Sequence, residues 1–143
     1  MYLTNTLETV QFAVSWALCS MIWLIQLMQY PAFRFVEAGR FAAFHRRHTL
    51  AVIIVIVPLM LAELAVTAGL LLVPPLNVQA GVNAVIVAGI WASTFFVQVP
   101  LHRKLALGKD EACIEKLLRS NWLRTGLWSL KAVLASWNYL RTL

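Results

Sequence analysis

The residues of this sequence best suited to chemistry near neutral pH are its three histidines, His45, His48 and His102. His45 and His48 stand three apart, a spacing that puts both rings on one face of a helix. Neutral imidazole moves protons and also binds zinc, copper, iron or haem iron, so His45, His48 and His102 make a three-nitrogen candidate metal set. Against a metal stand the lack of a carboxylate beside His45-x-x-His48 and the nearby cations Arg46, Arg47 and Arg124. The same cations favour an anionic or oxygen-rich ligand. Arg124 can form forked hydrogen bonds to a carboxylate, phosphate or enolate, while Gln98 and Asn121 can orient a carbonyl. Tyr30 and Gln26 reach the same level, and Trp91, Trp122 and Trp128 can supply flat apolar walls.

Composition decides what positions these groups. Of 143 residues, 61% are hydrophobic and 13% charged, with a mean hydropathy of +0.75. A soluble domain carries about a quarter charged residues, and a chain of this length cannot bury several segments of about 20 apolar residues in one aqueous core. The pattern predicts an all-α integral membrane four-helix bundle, antiparallel and up-down-up-down, formed by a single domain over residues 1–143. The helices are expected over about 7–30, 40–73, 78–107 and 111–141. Pro31 is read as ending the first and Pro74-Pro75 the second, which holds Pro58 and Glu63. Gly108 closes the third, and Asp110-Glu111 starts the fourth.

The fourth segment carries Arg124 and Lys131. A charge near a bilayer centre costs about 3 kcal/mol on insertion scales, so both should face the bundle, a partner or the interface. The competing reading lays this segment on the membrane surface as an amphipathic helix.

Twelve Lys and Arg stand against six Asp and Glu. The cations gather in two stretches, Arg34 to Arg47 and Arg103 to Arg119, as juxtamembrane charge does on the cytoplasmic side. Both termini then face away from the cytoplasm, and the expected location is a bacterial inner (plasma) membrane. No aromatic-and-basic surface stripe supports nucleic-acid binding. Cys19 falls within the first crossing and Cys113 at a cytoplasmic helix start, too far apart for a disulfide. The N-terminus lacks a basic n-region, which points to an uncleaved first helix.

With this topology Gln26, Tyr30, His45, His48, Gln98, His102, Asn121 and Arg124 arrive at one depth. His45, His48, Val52, Leu59 and Glu63 form one stripe at about 100° per residue, and Trp91, Gln98 and His102 form another. Polar stripes on membrane helices face the bundle interior. The site read from them assigns catalytic roles to His48, His102 and Arg124, and ligand binding to Gln98, Asn121, Tyr30, Trp91 and Trp128. A structural reading stands beside it, since His, Tyr, Asn and Arg also collect at interfacial helix ends to reach headgroups and water. Glu63 lies about 22 Å from His48 along its helix, too far to join that site. As an intramembrane carboxylate it can be neutral, pair with Lys131 or relay a proton.

The run Gln98-Val99-Pro100-Leu101-His102-Arg103-Lys104-Leu105, followed by Asn121-Trp122-Leu123-Arg124-Thr125 and Trp128, resembles a family of small four-helix bacterial membrane proteins. That family is mostly of unassigned function and is distantly related to the anthrone-oxygenase-like group. His45-x-x-His48 and Pro58-Leu59-Met60-x-x-Glu63 look similar to its second-helix pattern, so the likeness spans most of the chain and implies the same fold. The oxygenase relatives read Pro-x-Asn at the end of helix three, where this chain has Pro100-Leu101-His102. That departure argues against carrying over the oxygenation activity and is equally consistent with a changed ligand or an acquired metal.

Two kinds of function follow. The first is a membrane enzyme or cofactor binder that takes a lipophilic aromatic or quinone-like molecule from the bilayer. Arg124, Asn121 and Gln98 would stabilise negative charge on oxygen while His48 or His102 moves protons. The second is a non-catalytic accessory subunit of a larger respiratory, photosynthetic or transport complex, or a homo-oligomer. Six tryptophans and the small residues Gly81, Ala84, Ala88, Gly89, Ala92 and Ser93 on helix three favour close helix packing. A transporter fits less well, because four helices leave little room for two gated halves.

Overall fold

The structure is a computed structural model, described for residues 2–73 and 78–141. The proline turn expected at Pro74-Pro75 lies outside those residues. Within them the chain is helical, without strands, in four segments: α1 over Tyr2–Phe35, α2 over Ala38–Leu72, α3 over Val78–Leu105 and α4 over Glu111–Leu140.

The first segment departs from expectation at both ends. It begins at Tyr2 instead of near residue 7, and it does not stop at Pro31 but continues to Phe35. A π-helical turn over Ile25–Gln29 carries it past the proline, with the Tyr30 N–H donating to the Ile25 carbonyl. Pro31 then lies at the start of the next short helix, where a missing N–H is tolerated. The same device recurs in α3. A π turn over Thr94–Gln98 precedes Val99-Pro100, and the Val99 N–H reaches the Thr94 carbonyl. Both sites read Gln-x-Pro, as Gln29-Tyr30-Pro31 and Gln98-Val99-Pro100. Pro58, by contrast, sits inside α2 without ending it.

The remaining ends follow local chemistry. Gly108 adopts φ +151°, a conformation that favours glycine, and its N–H donates to the Leu105 carbonyl at 3.2 Å. Asp110 caps α4 by accepting from the Cys113 N–H at 3.0 Å.

α1 packs against α2 and α4, and α3 packs against the same two. Partners along α1 and α4 run in opposite order: Trp16 with Ser136, Trp23 with Ser129, Gln26 with Asn121, and Arg34 with Glu115. The apolar core joins Leu18 and Ile22 of α1, Ile56 and Met60 of α2, Ile86 and Ile90 of α3, and Ile114, Leu117 and Trp128 of α4.

α1, α2 and α3 are each long and apolar enough to cross a membrane; α4 is not among them. Its length suffices, since a 30-residue helix is about 45 Å long. Charge is what lowers its hydropathy, yet Arg124 and Lys131 are turned inward, at 7% and 0% exposure. The outer face of α4 shows Leu123, Leu130, Val133 and Trp137. Throughout the described residues many large apolar side chains, such as Ile54, Val85 and Phe96, point outward while Gln11, Ser15, Glu63 and Asn121 are buried.

Candidate functional site

The two π turns deliver the centre of the site. Tyr30 follows the first directly, and His102 lies one turn past the second. The Tyr30 hydroxyl meets His102 Nε2 at 3.0 Å, and His102 Nδ1 meets His45 Nε2 at 2.9 Å. His48 completes the group as a ring, its centroid 6.1 Å from His102 and 6.5 Å from His45. Phe33, from the single 3-10 turn that ends α1, is fully buried and makes edge contacts with His45, His48, Phe41 and Phe44. Neither Phe33 nor Phe41 stood out in the sequence, because their role depends on where the end of α1 folds back against α2.

Arg124 lies close to the Tyr30 hydroxyl and can only donate. Tyr30, His102 and His45 are joined by two hydrogen bonds whose direction is set by the histidine tautomers. His45 Nδ1 is a buried atom without a hydrogen-bond partner among the described residues. The result is a line from Arg124 past Tyr30 and His102 to His45.

Arg124 is anchored from behind. Its Nη1 donates to Asn121 Oδ1 at 3.2 Å, Asn121 Nδ2 donates to Gln26 Oε1 at 2.8 Å, and Gln26 Nε2 donates to the Leu118 carbonyl at 3.3 Å. Asn121 and Tyr30 thus join the site as expected from their depth. Gln98 is buried but turned to α4, where its Nε2 donates to Ser120 Oγ at 3.2 Å.

The tryptophans are placed differently from the expected walls. Trp128 lies in the apolar core, Trp91 stacks on Phe95 at 5.3 Å, and half-exposed Trp122 meets Trp23 edge-on. Among the described residues the histidine rings contact Tyr30, Phe33, Phe41 and one another.

The metal set does not take shape. Among the described residues no group of three or more His, Cys, Asp or Glu side chains is arranged to hold a metal ion. His45 and His102 spend facing nitrogens on each other, and His48 approaches them through its ring instead of directing a third nitrogen to a shared point.

His48 has a second neighbour, a groove of about 560 Å³ between α1 and α2. Gln29, Arg47 and His48 line its basic end, and Met21, Leu24, Val52 and Ile56 line the rest. No hydrogen bond among the described residues holds the His48 nitrogens, and the ring lines that groove.

Glu63 belongs to a separate buried cluster. Lys131 Nζ lies 2.6 Å from Glu63 Oε1, both side chains fully buried, which selects pairing from the three roles open to this carboxylate. Ser15 donates to Glu63 Oε2 at 3.2 Å, and Thr67 to Oε1 at 3.5 Å. Glu8 lies close to Lys131 and Asn138, while Asn83 Nδ2 donates to Gln11 Oε1 at 3.4 Å. All four helices contribute. Sequence reasoning missed Glu8, Gln11, Ser15, Asn83 and Asn138, although Arg124, Lys131 and Asn138 recur every seven residues and so share one face of α4.

Comparison of the chain with protein-family models, with curated proteins and with solved structures gives no match in any of the three.

Proposed function

We propose that this protein is an antiparallel four-helix bundle embedded in a bacterial plasma membrane, where it binds a lipophilic aromatic or quinone-like molecule in the α1–α2 groove. The observation that carries this reading is the double position of His48, which lines the groove and also contacts the His102 ring. Membrane embedding is supported by three long apolar helices and by a molecule whose Arg124 and Lys131 on α4 turn inward while apolar side chains face out. Cytoplasmic placement of the end bearing Arg34, Arg40, Arg46, Arg47, Arg103 and Lys104 follows the distribution of positive charge.

The groove suits an amphiphile with one oxygen-bearing head. Its apolar length accepts a ring or tail from the bilayer, while Arg47 and Gln29 donate to oxygen. His48 donates to or accepts from the same head, and its ring packs against His102 of the Arg124–Tyr30–His102–His45 line, which holds the imidazole at the groove. His48 itself exchanges a proton with the ligand oxygen as that oxygen changes charge. Arg124 and Asn121 act from inside the bundle by orienting Tyr30 and lie off the groove lining. No electron-transfer step is assigned.

The test is purification in a mild detergent, mass spectrometry of an organic extract and titration with a short-chain benzoquinone and naphthoquinone. A lipophilic aromatic should co-purify, and His48→Ala should weaken quinone binding about tenfold, the equivalent of one hydrogen bond near 1.4 kcal/mol. Equal binding by wild type and His48→Ala, with no aromatic in the extract, would sink the reading. The accessory-subunit alternative draws on the small residues Gly81, Ala84, Ala88 and Ala92 along α3. Co-purification with other membrane subunits in fixed stoichiometry would favour it.

A further inference from the structure

A second groove, of about 420 Å³, opens between α3 and α4. Phe96, Val97, Pro100 and Leu101 form its apolar part, and Lys104, Lys116 and Arg119 stand at its basic end. Lys116 and Arg119 lie three apart on α4, hence on one face, and Lys104 lies one turn past Pro100 on α3. The ion pairs among the described residues are Arg34–Glu115, Arg40–Glu37, Lys109–Glu111 and Lys131–Glu63. Lys104, Lys116 and Arg119 are in none of them. Three cations therefore share one groove mouth, none of them in a salt bridge within 4 Å among the described residues.

We infer that this groove is a binding site for an anionic phospholipid, with the phosphate among Lys104, Lys116 and Arg119 and an acyl chain along Phe96, Val97 and Leu101. The inference rests on the membrane-embedded reading above. Charge complementarity selects the head: an anion relieves the mutual repulsion of the three cations, whereas a zwitterionic head brings its own cation into the cluster. The apolar part selects a lipid over free phosphate, which would leave Phe96, Val97 and Leu101 uncovered. The α1–α2 groove differs in carrying one cation, Arg47, beside the neutral donors Gln29 and His48. The two grooves thus sort two kinds of amphiphile by head charge.

Native mass spectrometry in neutral detergent tests the site, with phosphatidylglycerol, phosphatidylcholine and inorganic phosphate as separate probes. Near an anionic headgroup each cation contributes about a fivefold factor, so three together give a preference of order a hundredfold for phosphatidylglycerol over phosphatidylcholine. The variant Lys104→Gln/Lys116→Gln/Arg119→Gln should lose most of that preference. The matched variant Arg40→Gln/Arg46→Gln/Arg103→Gln removes three exposed cations from the same end but outside this groove, and should keep it. Equal losses in the two variants would show diffuse surface attraction and overturn the site. Equal affinity for the two lipids, or binding of inorganic phosphate as tight as that of phosphatidylglycerol, would also overturn it. Alkaline carbonate washing of isolated membranes separates the two readings. A chain that resists extraction but shows no lipid preference loses only this site, whereas a chain released by the wash loses the membrane reading and this site with it.

Discussion

The bundle buries polar groups in two places, and the two are built on opposite principles. Around Glu63 a carboxylate and an ammonium face each other at 2.6 Å with Ser15 and Thr67 filling in, and every side chain of that quartet is buried. Around His102 a phenol and two imidazoles beside Arg124 form a line, and the line packs against His48 at the edge of a groove. A closed ion pair ties α2 to α4 and tolerates little change. The imidazole at the end of the second cluster lies open to a ligand. Burial of polar groups alone therefore does not mark a functional site; connection to a groove does.

The comparison is broken most forcefully at Lys131. Lys131→Met leaves Glu63 buried without its partner and should lower stability by about 3–5 kcal/mol, measured as detergent or thermal unfolding. Adding Glu63→Leu should restore most of the loss, because the pair as a whole is worth far less than either half left alone. A single variant as stable as wild type would show that this cluster is hydrated and open, like the other.

His102→Leu comes next. It removes the central link, leaving buried His45 and Tyr30 each without that hydrogen-bond partner, for a loss of about 1–3 kcal/mol in unfolding measurements. Quinone binding should weaken as well, through the displaced His48 ring. If stability falls and binding is untouched, the chain is structural only.

His48→Ala should separate the regions in the reverse sense. Its nitrogens make no hydrogen bond among the described residues, so the unfolding midpoint should shift little, by roughly 1 kcal/mol or less, while binding drops about tenfold. A large stability loss with unchanged binding would move His48 from the groove to the core. The smallest effect is expected at Pro100→Ala, a loss of about 0.4–1 kcal/mol through greater freedom of the unfolded chain. A marked fall in quinone binding there would mean that the π turn over Thr94–Gln98 needs its proline to aim His102.

Much of this was legible from residue spacing. His45 turned inward as the 100° period requires, with His48 half-buried beside it, and Gly108 and Asp110 ended and began their helices for the expected backbone reasons. The depth argument also brought Tyr30, Asn121 and Arg124 to the histidine level. Pro31 misled, because a proline alone does not show whether a π turn precedes it. Trp91 and Trp128 misled because a large aromatic on a polar stripe can rotate into core or outer face without altering the period. Glu8 and Gln11 fell within the expected first helix but were missed because their partners, Lys131 and Asn83, stand on other helices.

Sequence by itself determined that the chain is helical, that three segments are apolar over a membrane's thickness, and which ends gather positive charge, since these depend on local composition and period. Tertiary structure alone decided that Lys131 meets Glu63, that Tyr30, His102 and His45 form one line, and that His48 opens on a groove. Those outcomes depend on helix rotation and register. Differences of a few ångströms there decide whether a polar side chain finds a partner, and no spacing along one helix encodes its angle to the next.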